Sequence, residues 1–249
     1  MLATNQKPLA DAWCNPPTNP SIASGEAHVW RIDLELPGAD IDREFILLSA
    51  DERDRANRFI FKKDRNRYIA ARSALRRTLG RYLQDDPAEL RFTYGSHGKP
   101  SLHSACNPQN LRFNLSHSGE VALIALAVAT EVGIDVERIR ENFSCLEIAR
   151  EFFTAAEYEH LCATDPALRT EVFFSYWTHK EAYIKAIGKG LSFPLNQFEV
   201  SLQAGVRVRS LNSGVEAANY SLHSIVPCAG YVGALAVAGD RASILTWVG

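Results

Sequence analysis

No stretch of this 249-residue chain stays apolar for the roughly 18 to 20 residues that a bilayer crossing requires. The longest apolar run, Val121 to Ala129, is too short for that, and its small and β-branched residues predict a buried strand. A basic N-terminal region followed by an apolar segment is also missing, so no secretory signal is expected. The five cysteines (Cys14, Cys106, Cys145, Cys162 and Cys228) are odd in number, scattered, and contain no CxxC pair. Such spacing supports neither a disulfide framework nor a zinc site and fits thiols in a reducing cytosol. A cytoplasmic protein without a membrane partner is therefore expected.

What the chain has is an uneven charge. Its net charge of −2 conceals eleven Arg or Lys between Arg53 and Arg81, against only Asp54 and Asp64. A patch of that sign concentrates anionic partners: nucleic acid, a phosphorylated ligand or an acidic protein. Charge alone does not choose among them, and a solvated basic helix face is the plain alternative.

Residues 1–27 are rich in Pro, Asn, Ser and Thr without periodicity and predict a mobile tail. Alternation from His28 onward predicts a strand, and Ser49-Ala-Asp-Glu52 has the form of a capping box that opens a helix. Apolar residues every three or four positions predict an amphipathic helix over 66–83. Short strands are expected around 90–94, 112–115, 121–129 and 133–136. The second half repeats this order. A second capping box, Thr154 to Glu157, follows the first by 105 residues, and a helix over 173–187 ends at Gly188 as the earlier one is read to end at Gly80. Ala-Leu-Ala-Val-Ala occurs at 125–129 and again at 234–238. The reading is an α+β chain of two similar halves, 28–137 and 138–249, related by a pseudo-two-fold. Each half packs a long helix on a small, mostly antiparallel sheet, with a ligand site at the seam.

Two segments carry chemistry. In Gly133-Ile-Asp-Val-Glu137, alternation puts Asp135 and Glu137 on one strand face with Ile134 and Val136 behind them. Paired carboxylates repel unless a proton or cation lies between, and hard divalent cations favour that oxygen chemistry. A solvated strand end is the ordinary alternative. In the second helix Trp177, Glu181 and Lys185 share a stripe, which is either a surface Glu–Lys pair or a third carboxylate and an ammonium facing Asp135 and Glu137. Three carboxylates with a lysine suit a metal-held pyrophosphate.

Gly-Ile-Asp-Val-Glu followed some 40 residues later by Trp-x-x-Lys-Glu-Ala-x-x-x-Lys resembles the signature of the 4′-phosphopantetheinyl transferases, in their larger pseudo-dimeric class. Phe113-Asn-Leu-Ser-His-Ser-Gly119, Gly98-Lys-Pro100 and Gly188-Lys-Gly-Leu191 match that class in the same order. The resemblance implies Asp135, Glu137 and Glu181 as Mg²⁺ ligands, with Mn²⁺ as the alternative ion. It implies Lys185 on the pyrophosphate, Glu181 or a water it orients as base, and Glu181 with Lys185 as the catalytic pair. Coenzyme A, the substrate, would be held by Arg55, Gly98, Lys99, Pro100, Asn114, Ser116, His117 and Lys185. Glu52 departs from a basic position of some members. The implied reaction moves phosphopantetheine onto a serine of acyl, polyketide or peptidyl carrier proteins and releases 3′,5′-ADP, with no role for nucleic acid and no need to dimerise. Two rivals stand beside it: a metal-dependent phosphatase or nuclease, and a non-catalytic module that binds an acidic carrier.

Overall fold

The first strand, β1 (Glu26–Asp33), turns Trp30 and Ile32 to one side and Ala27 and Val29 to the other, as alternation requires. The computed structural model describes residues 13–140, 143–190, 193–202, 207–210, 220–239 and 242–249. After β1 come helices α1 (Gly38–Ile46), α2 (Ala50–Asn57) and α3 (Lys62–Leu83), then strands β2 (Phe92–Tyr94), β3 (Pro100–Leu102), β4 (Leu111–Ser118), β5 (Val121–Val128) and β6 (Val132–Arg138). The second half contributes α4 (Cys145–Phe152), α5 (Ala155–Ala163), α6 (Pro166–Ile187), β7 (Phe198–Ser201), β8 (Arg207–Ser210), β9 (Tyr220–Ile225), β10 (Tyr231–Ala238) and β11 (Ser243–Val248).

The chain is α+β. One sheet runs β11-β1-β5-β4 and the other β6-β10-β9, antiparallel throughout except where β11 lies parallel to β1. Val29, Leu123 and Ala125 of the first sheet meet Ile134, Leu235 and Val237 of the second in a core between the sheets. On the outer faces α3 covers the first sheet through Leu75 and Leu79, and α6 covers the second through Phe173, Ala182 and Tyr183. The layers are therefore helix, sheet, sheet, helix.

Both long helices have 22 residues; Lys62 to Pro166 and Leu83 to Ile187 are each 104 positions apart. The earlier helix does not end at Gly80. It runs on to Leu83 and is capped by Gln84 in the left-handed conformation (φ 57°), which makes Gln84 the counterpart of Gly188 (φ 69°). Gly80 is needed for another reason: a Cβ there would meet the Asp85 carbonyl at 2.9 Å and Pro87 at 3.0 Å, where the chain folds back on the helix. α6 begins well before residue 173 because Asp165 accepts the Ala167 N–H and Pro166 takes the first helical position. The two Ala-Leu-Ala-Val-Ala strings fall on β5 and β10, the inner strands of β1-β5-β4 and β6-β10-β9. Two strands cross the 137/138 division: β6 pairs with β10, and β11 pairs with β1. Of the tail, residues 1–12 lie outside the described residues. Trp13 and Cys14 are docked, with the Trp13 indole donating to the Val226 carbonyl (3.1 Å) and Cys14 bridging to β11.

Both capping boxes form, and both do more than cap. Glu52 accepts the Ser49 N–H (2.9 Å) and is buried against Arg72 and Arg76 of α3. Glu157 accepts the Thr154 N–H (2.9 Å) and is buried against Lys180 of α6, Nζ to Oε2 2.8 Å. The same Lys180 ammonium donates to the carbonyls of Leu195 (2.8 Å) and Phe198 (2.7 Å), so it fastens the segment after α6 to the helix. Lys180→Met would leave Glu157 buried with only its backbone donors. A loss of about 3 kcal/mol is expected, read from urea unfolding midpoints.

Buried imidazoles set the acid side of stability. Burial lowers His28, against the pull of Glu26, and brings His179 down to about 4 despite its hydrogen bond to the Ser175 carbonyl. Both rings stay neutral in the folded chain while the unfolded chain takes up protons below about 6.5. Their stabilisation is thus complete above that pH and is lost as pH falls through each folded value, which for His179 is about 4 and corresponds to roughly 3 kcal/mol. Melting temperatures measured down a pH series should fall across that window, and less steeply for His179→Gln.

Candidate active site

The seam between the sheets runs along β4 and β6. Alternation turns Asn114, Ser116 and Ser118 of β4 to one side, and each engages β6. Asn114 Oδ1 accepts the Ile134 N–H (2.9 Å), Ser116 Oγ donates to Asp135 Oδ1 (2.8 Å), and Ser118 Oγ donates to Glu137 Oε2 (2.7 Å). The face of β6 that carries Asp135 and Glu137 also carries Gly133, and there it receives α6 at very short range. A Cβ on Gly133 would stand 2.0 Å from the Ala182 carbonyl oxygen and 2.4 Å from the Ala186 nitrogen. Only glycine admits this backbone contact, and the contact brings the next helical turn over the strand's carboxylates.

There Lys185 Nζ donates to Asp135 Oδ1 (2.6 Å) and Ser116 Oγ (2.9 Å). Glu181 is buried beside them, one turn back on the same helix, and Trp177 precedes it with its ring stacked on Phe173 at 5.9 Å. The electrostatics are those of crowded negative charge. Burial first, then the Asp135 carboxylate, pushes Glu181 up to about 7 against the pull of Lys185, with Glu137 adding to the rise. Burial also raises Glu137 against its Ser118 hydrogen bond, and Asp135 adds repulsion.

Asp135, Glu137, Glu181, Lys185, Asn114, Ser116, His117, Gly98 and Lys99 all line one cavity of about 470 Å³. His117 keeps an exposed edge, yet desolvation in the cleft, then the Lys185 and Arg67 cations, lower its pKa. Pro100 lines an adjoining cavity of about 650 Å³ that shares Lys99, His97 and Gly188 with the first. Lys99 itself is engaged: its ammonium bonds Glu131 (3.0 Å) and the carbonyls of Val132 and Ala186. Arg55 lines neither cavity; its guanidinium lies over the Tyr68 ring at 5.5 Å. Leu191, the last residue of the Gly188-Lys-Gly-Leu191 segment, lies outside the described residues.

Among the described residues no three His, Cys, Asp or Glu side chains converge on a point as a ready-made metal cage. At Asp135 Oδ1 the Lys185 ammonium holds the place of a cation. The donor chemistry nonetheless suits a hard divalent ion: three carboxylates, two of them with raised pKa, and a buried Asp135 Oδ2 that lacks any hydrogen-bond partner.

Sequence reasoning missed Ser118, which holds Glu137, and the packing role of Gly133. Counting two residues on from Ser116 would have found Ser118. Nothing local in the sequence marks Gly133, because the helix it admits lies some fifty residues away.

Comparison with known proteins gives a consistent result. Residues 131–236 match the family model described as 4′-phosphopantetheinyl transferase superfamily, and residues 38–129 match the one described as 4′-phosphopantetheinyl transferase, N-terminal. The 4′-phosphopantetheinyl transferase HetI of Nostoc sp. is 38% identical over 231 residues, 93% of this chain and 95% of that one. The 4′-phosphopantetheinyl transferase Sfp of Bacillus subtilis is 35% identical over 173 residues, 69% and 74% of the two chains. The crystal structure of Thermotoga maritima holo-[acyl-carrier-protein] synthase superposes with a TM-score of 0.36 at 21% identity, covering 45% of this chain and 64% of that one.

Proposed function

Because this chain belongs to the 4′-phosphopantetheinyl transferase superfamily, we propose that it transfers the phosphopantetheine arm of coenzyme A to a carrier-protein serine, and that the seam cavity is where it does so. The observation that carries the assignment of the site is the α6 docking over Gly133, which gathers Lys185, Glu181 and Asp135 within one buried cluster.

In this reading the pyrophosphate of coenzyme A lies in the cavity beside Lys185 and His117. The carrier's serine oxygen forms a bond to the phosphorus that bears the pantetheine arm, and the bond from that phosphorus to the bridging oxygen of 3′,5′-ADP breaks. The serine proton passes to Glu181 or to a water it orients; in the metal-free site burial and the Asp135 carboxylate push this carboxyl up to about 7. The Lys185 ammonium, released from Asp135, takes up the charge of the departing 3′,5′-ADP. Asp135, Glu137 and Glu181 would hold Mg²⁺ or Mn²⁺, which when bound supplies charge neutralisation at the phosphate oxygens. A carboxylate cannot be a free base and a full metal ligand at once, so with the ion held Glu181 acts through a water it orients, and takes the proton directly only when it does not hold the ion. Gly98, Lys99 and Pro100 would border the nucleotide end of coenzyme A, with Lys99 acting mainly as the tie between β6 and α6 seen in its hydrogen bonds. Arg55 would meet the 3′-phosphate by leaving its stack on Tyr68.

Acyl, polyketide and peptidyl carriers are the substrates in view. No helix among the described residues is long and apolar enough to cross a membrane. The deciding test is intact-mass spectrometry of apo carriers of each kind incubated with the enzyme, coenzyme A and Mg²⁺. A gain of one phosphopantetheine, abolished by EDTA, is expected; no gain on any carrier overturns the reading.

A further inference from the structure

The turn between α2 and α3 leaves large apolar side chains in solvent. Ile60 is 90% and Phe61 69% exposed, and Ile46, at the end of α1, is 67% exposed. Exposed apolar groups gathered at one place mark a contact surface more often than chance placement does.

The charge around them is equally distinctive once the paired cations are set aside. Much of the 53–81 positive charge is spent inside the protein: Arg72 and Arg76 on Glu52, Arg67 on Glu35 and Glu120, and Arg77 on Glu44. Arg53, Arg58, Lys62 and Arg65, by contrast, form no ion pair among the described residues. Two of these, Arg53 and Arg65, lie over the Phe45 ring at 5.8 and 5.0 Å, and Arg53 donates to the Ile46 carbonyl, so cations and apolar groups share one surface.

This surface adjoins the cavity. Lys63, two residues beyond Phe61, reaches Glu120 at 3.9 Å, and Arg67 bonds the same carboxylate at 2.6 Å. Glu120 lies in the turn directly after Ser118, which bonds Glu137. A partner seated on the Ile60–Phe61 tip therefore stands next to the mouth where the serine must enter.

Resting on the transfer reading, we propose that the Phe59–Phe61 tip and its unpaired cations are the docking surface for the carrier protein. They would grip a carrier face that presents carboxylates around an exposed apolar side chain near the serine to be modified. A nucleic acid fits less well. Phe59 already packs on Tyr68 (5.3 Å between centroids) and Ile60, the most exposed of the three, has no ring, which leaves the single ring of Phe61 where a strand would need successive stacking platforms.

The test is steady-state kinetics with an apo carrier that the wild-type enzyme modifies. In Ile60→Ser/Phe61→Ser the carrier KM is expected to rise about tenfold or more, with kcat, the KM for coenzyme A and the melting temperature unchanged. Added salt should raise the wild-type carrier KM, and Arg58→Ala/Lys62→Ala should blunt that dependence. A carrier KM that does not move in either variant overturns the docking proposal and leaves the transfer reading standing. A shift confined to the KM for coenzyme A overturns it by assigning the tip to that substrate. Loss of binding to phosphatidylserine vesicles with an unmoved carrier KM overturns it in favour of a lipid surface. A wild-type enzyme that modifies no carrier overturns the transfer reading itself.

Discussion

Glu181→Gln is expected to lower transfer by about a thousandfold or more while leaving the fold as firm as before, or firmer. The substitution keeps the side chain's volume and polarity and removes its charge, so it isolates what the carboxylate does. A positioned base contributes about 10² to 10⁴ in rate, and loss of an oxygen suited to a cation adds to that. Stability should move the other way, because the wild-type carboxylate is buried beside Asp135 and Glu137. Its folded pKa, about 7, lies above that of the unfolded chain, so its contribution is most favourable at acid pH and is lost as pH rises through 7. Without added metal, wild type and variant should melt alike near pH 5, with the variant melting higher above pH 7, on the order of 3 kcal/mol apart. Calorimetry and carrier mass shifts read the two effects separately. Near-normal transfer by the variant would remove Glu181 from the chemistry.

Gly133→Ala should be the most damaging single methyl group in the protein. Its Cβ would collide with backbone at 2.0 and 2.4 Å, and neither the Ala182 carbonyl nor the Ala186 nitrogen can swing aside as a side chain does. The helix must lift off β6 or the strand must leave its ladder with β10. Either response opens the core that Ala182 and Ala186 close. A cost on the order of 5 kcal/mol or more is expected, comparable to the whole stability of many domains. Lifting the helix also parts Lys185 from Asp135, so any soluble variant should be inactive. Denaturant unfolding and transfer assays check both halves. A stable, active Gly133→Ala would show that α6 does not depend on this contact.

The sequence disclosed local matters well and distant ones poorly. Alternation in Gly133–Glu137 was enough to turn both carboxylates to one face, and helical spacing was enough to align Trp177, Glu181 and Lys185. The likeness of the two long helices and inner strands was legible because the sequence repeats its capping box and its Ala-Leu-Ala-Val-Ala string. The helix read over 66–83 does end at Leu83, but Gly80 was matched to Gly188 because glycine is the usual terminator, and here Gln84 adopts the left-handed cap while Gly80 makes room for a returning loop. The basic segment read as one patch, although Glu52, Glu35, Glu44 and Glu120 neutralise much of it from elsewhere in the chain. The partners that decide which cations stay free come together only in three dimensions. The same holds for Lys180, which sits within the motif yet points away from the cavity to serve Glu157 and two carbonyls.

The parallel pairing of β11 with β1 sets an order in time as well as in space. During synthesis β1 emerges well before its outer neighbour β11, which lies more than 200 residues further along the chain. Until then β1 has an open edge, and its hydrogen-bonding groups there are available to any other strand. The nascent first half should accordingly be a poor folding unit and a client for chaperones, and its sheet can close only once the second half has been made. An enzyme assembled from two similar pieces has in this way made its older-born piece wait for its younger one.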